Sequence, residues 1–163
     1  MIRTISDFTS IWKDESEITA RVLAALTDVS LAQKETARDR SLGDMAWHIA
    51  TAIPEMMGHA GMAIAGADHN APTPTSARAI HDAYLQAAAA LREKTGNEWT
   101  DETLAVEDEM YGERWPRGMT LLVLLIHQIH HRGAMTVLMR QAGLVVPSIY
   151  CPNREETETM HRS

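Results

Sequence analysis

The sequence predicts an all-α protein, namely an antiparallel four-helix bundle with a long irregular crossover before its last long helix. Two observations predict this fold class. Apolar residues recur at helical spacing in four long segments. Methionine is abundant whereas phenylalanine occurs once, which favours helix–helix packing over a β-sandwich core. A chain of 163 residues is long enough for one such bundle, so we interpret residues 1–163 as a single domain.

The first two helices are delimited by a polar connector and a serine. The first runs from residue 4 or 6 to residue 28, and the polar stretch QKETARDR separates it from the second. Ser41 begins the second helix, with Asp44 three residues later as a weaker form of the capping box. Pro54 lies inside this helix, where we expect it to produce a kink.

A loop and a crossover separate the last two helices from the rest of the chain. Residues 65–75 are dense in glycine, asparagine and proline, which predicts a loop. The third helix follows, and we expect it to stop at Gly96. Residues 97–117 predict an irregular or extended crossover, and the fourth helix ends at Gly143. The tail, from about residue 150, is expected to be partly extended or frayed.

The charge balance and the single cysteine exclude several classes of function. The chain has 15 basic and 22 acidic residues and a net charge of −7, whereas a nucleic-acid partner requires a basic face. Cys151 is the only cysteine, so an intrachain disulfide and a thiolate-rich zinc site are both excluded. The N-terminus has no signal-like apolar core, and no apolar run approaches about 18 residues. We therefore expect a cytoplasmic protein with no membrane partner.

A histidine cluster lies in an apolar segment of the chain, LLVLLIHQIHHRGAMTVLMRQAG, residues 121–143. His127 and His131 project about 40° apart on one helix face, where both could bind the same metal ion. His127 with His130 is the alternative pair, with rings that diverge by about 60° in the other direction. Buried histidines need partners, and a metal is one such partner. Core histidines that are hydrogen-bonded to carbonyls or carboxylates are the competing interpretation.

A third ligand must come from another part of the chain, because a catalytic metal site typically has three protein ligands and one open position. His48 is the strongest candidate, since it lies in the middle of the second helix between Trp47 and Ile49. Four other histidines lie near a helix end, in a loop, at an exposed helix start or in the tail: His59, His69, His81 and His161.

These residues resemble a known family. A mid-helix His48 within DMAWHIA, followed by His127, His130 and His131 within LIHQIHHRGAMTVLMRQAG, is similar to the DinB-like (damage-inducible) bundle proteins, relatives of the bacterial thiol transferases. The segment LVVPSIY after the last helix also resembles the family's ending. The resemblance implies a four-helix bundle, often dimeric, in which His48, His127 and His131 hold a divalent metal. The family commonly has glutamine after HHRG, whereas this chain has Ala134.

Four further residues are candidates for contacts around the metal ligands. Asp44, one turn before His48, either orients an imidazole as a hydrogen-bond acceptor or stabilises the helix N-terminus. Arg132 is either a surface ion-pair residue or an anion contact near the metal. His130 is expected to lie toward a neighbouring helix or the surface. Gly133 is a mid-helix glycine, which predicts a close helix approach beside the site.

The ligand set and the resemblance together predict a metal-dependent enzyme, with no catalytic residue assigned. Nitrogen ligands suit Zn²⁺ or Ni²⁺, and Fe²⁺ or Mn²⁺ could also bind. The resemblance implies a thiol-dependent S-transferase or isomerase, which uses a low-molecular-weight thiol and acts on small electrophiles. It also implies a homodimer with a role in stress response. The alternatives are a metal-dependent hydrolase that uses bound hydroxide and a non-catalytic metal-binding protein.

Overall fold

Helices dominate residues 2–162, the part of the chain that the computed structural model describes. In chain order the elements are α1 Ile5–Ala24, a 3₁₀ turn Val29–Ala32, α2 Leu42–His59, α3 Ala77–Glu98, a 3₁₀ turn Asp101–Ala105, β1 Glu107–Met110, β2 Glu113–Pro116, α4 Arg117–Gln141 and α5 Arg154–Met160. α3 packs against α1 and α2, and α4 packs against α2 and less extensively against α1. The predicted all-α fold class is therefore confirmed.

α2 begins where the sequence predicts, and a reciprocal pair of hydrogen bonds fixes its first turn. The Ser41 Oγ accepts from the backbone N–H of Asp44 at 3.0 Å, and Asp44 Oδ2 accepts from the backbone N–H of Ser41 at 3.1 Å. The helix then continues through Pro54 to His59. This capping box satisfies backbone N–H groups in the first turn and fixes where α2 begins, with its cap residue Ser41 seven residues before His48.

The predicted end of α1 is wrong by four residues, because the helix stops at Ala24 instead of residue 28. The Thr27 and Ser30 side chains form hydrogen bonds with each other's backbone, and the Ser30 hydroxyl donates to the Thr27 carbonyl at 2.8 Å. Such local bonds compete with the helical ladder. They start the 3₁₀ turn that follows α1.

The predicted end of α3 is also wrong, because the helix passes Gly96 and ends at Glu98. Gly96 keeps a right-handed conformation, and the chain leaves the helix at Trp99, whose indole is buried. The Arg117 guanidinium covers this indole at 4.9 Å from the ring centroid. Burial of Trp99 therefore decides where α3 ends.

The crossover contains an antiparallel hairpin, in agreement with the prediction of irregular or extended structure. β1 pairs with β2, and Met110 lies opposite Glu113. The two residues between them, Tyr111 and Gly112, have φ angles of 55° and 88°. Two consecutive positive φ angles are typical of a type I′ hairpin turn, which matches the right-handed twist of the strands.

Residues 154–160 of the tail form a helix where the sequence predicts partly extended or frayed chain, whereas residues 151–153 are not helical. The Asn153 side chain accepts from the backbone N–H of Glu156 at 2.7 Å and caps α5. Arg140 on α4 forms an ion pair with Glu155 at 2.6 Å. A cap and an ion pair thus hold a short helix of seven residues against the end of α4.

α4 has one face that no other element of residues 2–162 covers. Met119, Ile126 and Val137 on this face are 45%, 55% and 56% exposed. Gly133 lies on the same helix, and no atom lies within 4 Å of the position that a Cβ would take. The close helix approach predicted at Gly133 is therefore not made within the described chain. No helix among residues 2–162 has the length and apolar character needed to cross a membrane.

Candidate metal centre

α2 and α4 bring three histidines together, namely His48 from α2 and His127 and His131 from α4. One ligand nitrogen from each lies within 4.8 Å of the other two. The Nε2 atoms of His48 and His127 are 2.9 Å apart. No other group of three histidine, cysteine or carboxylate side chains within residues 2–162 has this geometry. The three residues that the sequence favours as ligands thus form one cluster.

The surroundings keep all three imidazoles neutral. Each ring is half-buried, and the loss of hydration lowers the pKa of His48 to about 3 and that of His131 to about 4. Burial likewise lowers the pKa of His127. The neighbouring imidazoles and the positive charge of Arg40 act in the same direction on these pKa values. Neutral imidazole is the form that binds a metal ion.

The donor set fits a divalent metal ion such as Zn²⁺ or Ni²⁺. Around a tetrahedral ion with metal–nitrogen bonds of about 2.0–2.1 Å, ligand nitrogens lie about 3.3 Å apart. The Nε2 atoms of His48 and His127 are 2.9 Å apart, and no separation in the triad exceeds 4.8 Å, so small side-chain rotations reach this value. The Nδ1 of His127 is buried with no hydrogen-bond partner in residues 2–162, whereas its Nε2 faces His48. The triad could therefore hold a metal through three neutral nitrogens.

Two further histidines lie beside the triad without being part of it. His130 is exposed, and its ring centroid is 5.0 Å from that of His131. This position agrees with the prediction that His130 lies toward the surface. His69 is also exposed, and its ring centroid is 5.7 Å from that of His48. The sequence does not reveal His69 as a neighbour, because helical spacing says nothing about where a loop folds back.

The interpretation of Asp44 as an acceptor for an imidazole is wrong. Its two carboxylate oxygens accept from the Ser41 backbone N–H at 3.1 Å and from the Thr73 hydroxyl at 2.8 Å. The hydrogen bond with the Ser41 side chain is the largest cause of a lowered pKa for Asp44. Asp44 therefore stabilises the start of α2, which is the alternative reading of this residue.

The interpretation of Arg132 as an anion contact near the metal is also wrong. The side chain is 1% exposed, and its Nη2 lies 2.7 Å from Glu15 Oε2 on α1. The Thr19 hydroxyl accepts from Nη1 at 2.9 Å, and the Tyr150 hydroxyl lies beside the same guanidinium. Successive side chains along a helix point in directions that differ by about 100° around its axis. Arg132 therefore faces α1, although it directly follows His131 in the sequence.

A carboxylate held by the hairpin lies on the same side of α2 as His48. Glu55 follows His48 by seven residues, so the two directions differ by about 20°. The Tyr111 hydroxyl donates to Glu55 Oε2 at 2.8 Å, and the His59 Nε2 lies 3.4 Å from Oε1. The negative charge of Glu55 opposes the burial that lowers the pKa of His127. The hairpin thus positions one acidic group near the triad.

A cavity of about 450 Å³ opens beside the triad, and His131 forms part of its wall. Arg40, from the connector before α2, also lines this cavity. The sequence identifies neither the cavity nor Arg40, because both depend on how the connector folds over α4. A small molecule in this cavity would lie next to His131, one of the three histidines.

Comparison with known proteins gives a consistent result. The model of the DinB family matches residues 1–162. The uncharacterized protein YrdA of Bacillus subtilis (strain 168) is 42% identical over 156 residues, which are 96% of this chain and 93% of that protein. A DinB-like protein from Bacillus cereus, solved at 2.01 Å resolution, is 43% identical with a TM-score of 0.88, and the match covers 92% of this chain and 100% of that chain.

A more distant structure shares the fold alone. The DinB-like protein YjoA from Bacillus subtilis is 20% identical, with a TM-score of 0.68 over 88% of this chain and 96% of that chain.

Proposed function

Since the chain belongs to the DinB family, we propose that it is a metal-dependent enzyme that transfers a low-molecular-weight thiol to small electrophiles. One observation carries the proposal: three neutral imidazoles form a cluster whose His131 lies on the wall of a cavity. Three histidine ligands leave a coordination position for a small molecule. A Zn²⁺ or Ni²⁺ ion held there lowers the pKa of a thiol that joins it.

The proposed reaction needs neither an oxidant nor a reductant. The thiol gives up its proton to solvent, and its sulfur forms a bond to the electrophilic carbon. With an aryl chloride the chloride departs with the electrons of the C–Cl bond. With an epoxide or an unsaturated ketone the electrons of the C–O bond or of the C=C π bond stay in the product, which takes up a proton from solvent. His48, His127 and His131 would hold the metal, while Met45 and Leu138 give the cavity an apolar side. Low-molecular-weight thiols are kept reduced in the cytoplasm, so we propose this compartment for the protein.

An assay of products tests the proposal. The zinc- or nickel-loaded protein is incubated with glutathione, mycothiol or bacillithiol and with an aryl chloride, an epoxide and an unsaturated ketone. We expect thioether adducts, quantified by mass spectrometry, to form faster with the metal-loaded protein than with the metal-free protein for at least one pair. Faster formation of water adducts would instead favour a metal-dependent hydrolase. No acceleration with any pair would contradict both enzymes and favour a non-catalytic metal-binding protein.

We also propose that the protein is a homodimer in which the uncovered face of α4 packs against the same face of a second copy. Met119, Ile126 and Val137 give this face exposed apolar area, which is typical of an interaction site. The open space at Gly133 would allow a partner helix to approach closely. A two-fold arrangement places the same patch of both copies in contact.

An Ile126→Glu variant is expected to convert the dimer to a monomer, because it places a carboxylate in the middle of the proposed interface. We expect the dimer dissociation constant to rise by at least about tenfold, as measured by analytical ultracentrifugation. Val29→Glu is the matched control, since Val29 is 89% exposed and lies outside α4. A monomeric wild-type protein, or a dimer that both substitutions weaken equally, would contradict the proposed interface.

A further inference from the structure

The cavity beside the triad has one apolar side and one charged side. Met45 from α2 and Ala134, Val137 and Leu138 from α4 form the apolar side. The charged side is the connector between the first 3₁₀ turn and α2, and it carries Glu35, Asp39 and Arg40. A ligand in this cavity would therefore meet a hydrocarbon surface, a set of charges and His131.

Arg40 is the cation of the charged side, and its guanidinium forms no ion pair or hydrogen bond with any side chain of residues 2–162. The Asp39 carboxylate is already engaged, because it accepts from the backbone N–H of Thr36 at 3.0 Å and from its hydroxyl at 2.7 Å. Glu35 adds a second negative charge and has no such bond. Arg40 directly precedes Ser41, the residue that caps α2, so its backbone is fixed relative to His48.

Arg40 and His131 line the same cavity. An anionic group in the cavity would be attracted by Arg40 on the connector, while another atom of the same molecule faces His131. A planar guanidinium offers paired N–H donors that match the two oxygens of a carboxylate. The apolar side would cover a hydrocarbon chain between the two ends of such a molecule.

We propose that this cavity binds a thiol that carries a carboxylate, with Arg40 as the anchor of the carboxylate. The inference rests on the proposed function, because it assigns the sulfur of the ligand to the side of the cavity where the triad lies. The inference adds that the thiol carries a negative charge on a carboxylate, a property that the triad alone does not specify. Arg40 would act in binding and in the selection of the thiol.

The test compares thiol acids with their neutral amides. Cobalt-substituted protein is titrated with 3-mercaptopropionate and 6-mercaptohexanoate and with the corresponding amides, and thiol binding is measured from the sulfur-to-cobalt absorption. At one or both lengths, we expect the wild-type protein to bind the acid about tenfold more tightly than the amide. Arg40→Gln should abolish this preference, because it weakens binding of the acid more than binding of the amide.

Two further substitutions distinguish a contact between Arg40 and the carboxylate of the ligand from a general effect of the charge of the connector. Arg38→Gln removes the same charge from the same exposed connector but from a residue that does not line the cavity, so it should keep the preference. Glu35→Gln removes a negative charge from the cavity wall and should strengthen acid binding. Equal affinities for acid and amide in the wild-type protein, or equal losses in the Arg38 and Arg40 variants, would overturn the inference.

Failure of the proposed function gives a different result, namely no thiol absorption at either chain length. In that case hexanoate is titrated into the metal-free protein, and backbone NMR shifts are measured at Ala134 and Val137. Shifts that Arg40→Gln abolishes and Arg38→Gln keeps would support an anion site in the cavity without a thiol. The absence of shifts in the wild-type protein would overturn the inference as well.

Discussion

We expect the wild-type protein to bind about one divalent metal ion per chain and the His48→Ala and His131→Ala variants each to fail to do so. Removal of a residue that only orients a ligand typically weakens metal binding by 10–100-fold, so the loss of a ligand should weaken it by more than about 100-fold. The measurement is competition with a chelator of known affinity, followed by elemental analysis. A metal that binds the folded protein raises its melting temperature, and at a metal concentration of 100 times Kd the added free energy of unfolding is about 2.7 kcal/mol. Both variants should lose this rise in melting temperature.

Three substitutions are controls for this experiment. His130→Ala and His69→Ala remove exposed imidazoles close to the triad, and both proteins should keep the metal. Asp44→Ala removes the Asp44 half of the capping box of α2 and should cost about 1 kcal/mol of stability without changing the metal content. A full complement of metal in both His48→Ala and His131→Ala, or its loss in His130→Ala, would contradict the proposed ligand set.

The part of the site that could be predicted from the sequence is the part built on helical spacing. His127 and His131 are four residues apart on one helix, so their common direction follows from the helix geometry alone. His48 stands out because a histidine in an apolar helix is uncommon and needs a partner. The Ser41 cap, which fixes the start of α2, is also visible as a sequence pattern. Local signals therefore locate all three residues of the triad.

The neighbours of the triad depend on contacts between distant segments, and the sequence predicts them poorly. His69 and Arg40 lie in connections whose path over the bundle has no periodic signal. Arg132 is the reverse case, because the sequence suggests a neighbour of the metal that the structure does not place there. The suggestion comes from its position directly after His131 in the sequence. Its partner Glu15 is 117 residues away, and no local pattern links the two. The rotation of 100° per residue along a helix is the one feature of the sequence that indicates a different direction for Arg132 than for His131.

Arg132→Met is expected to lower the free energy of unfolding by about 3–5 kcal/mol, because it leaves a carboxylate without its cation inside the bundle. Arg132 is 1% exposed and Glu15 is 12% exposed, so little water is available to replace the lost ion pair. The hydroxyl of Tyr150 donates to both oxygens of Glu15 at 2.9 Å and compensates only a fraction of the charge. Urea unfolding of the metal-free protein measures the effect without a contribution from metal binding.

Arg140→Met is the matched control, since Arg140 forms an ion pair with Glu155 in which both side chains are about one-third exposed. Exposed pairs contribute about 0–1 kcal/mol, so this variant should be nearly as stable as the wild-type protein. Equal losses in the two variants would contradict the role of burial. The double variant Glu15→Gln with Arg132→Met should be more stable than Arg132→Met alone, because the unpaired charge is gone. A double variant that is no more stable would mean that the packing of the Arg132 side chain, and not its charge, joins α4 to α1.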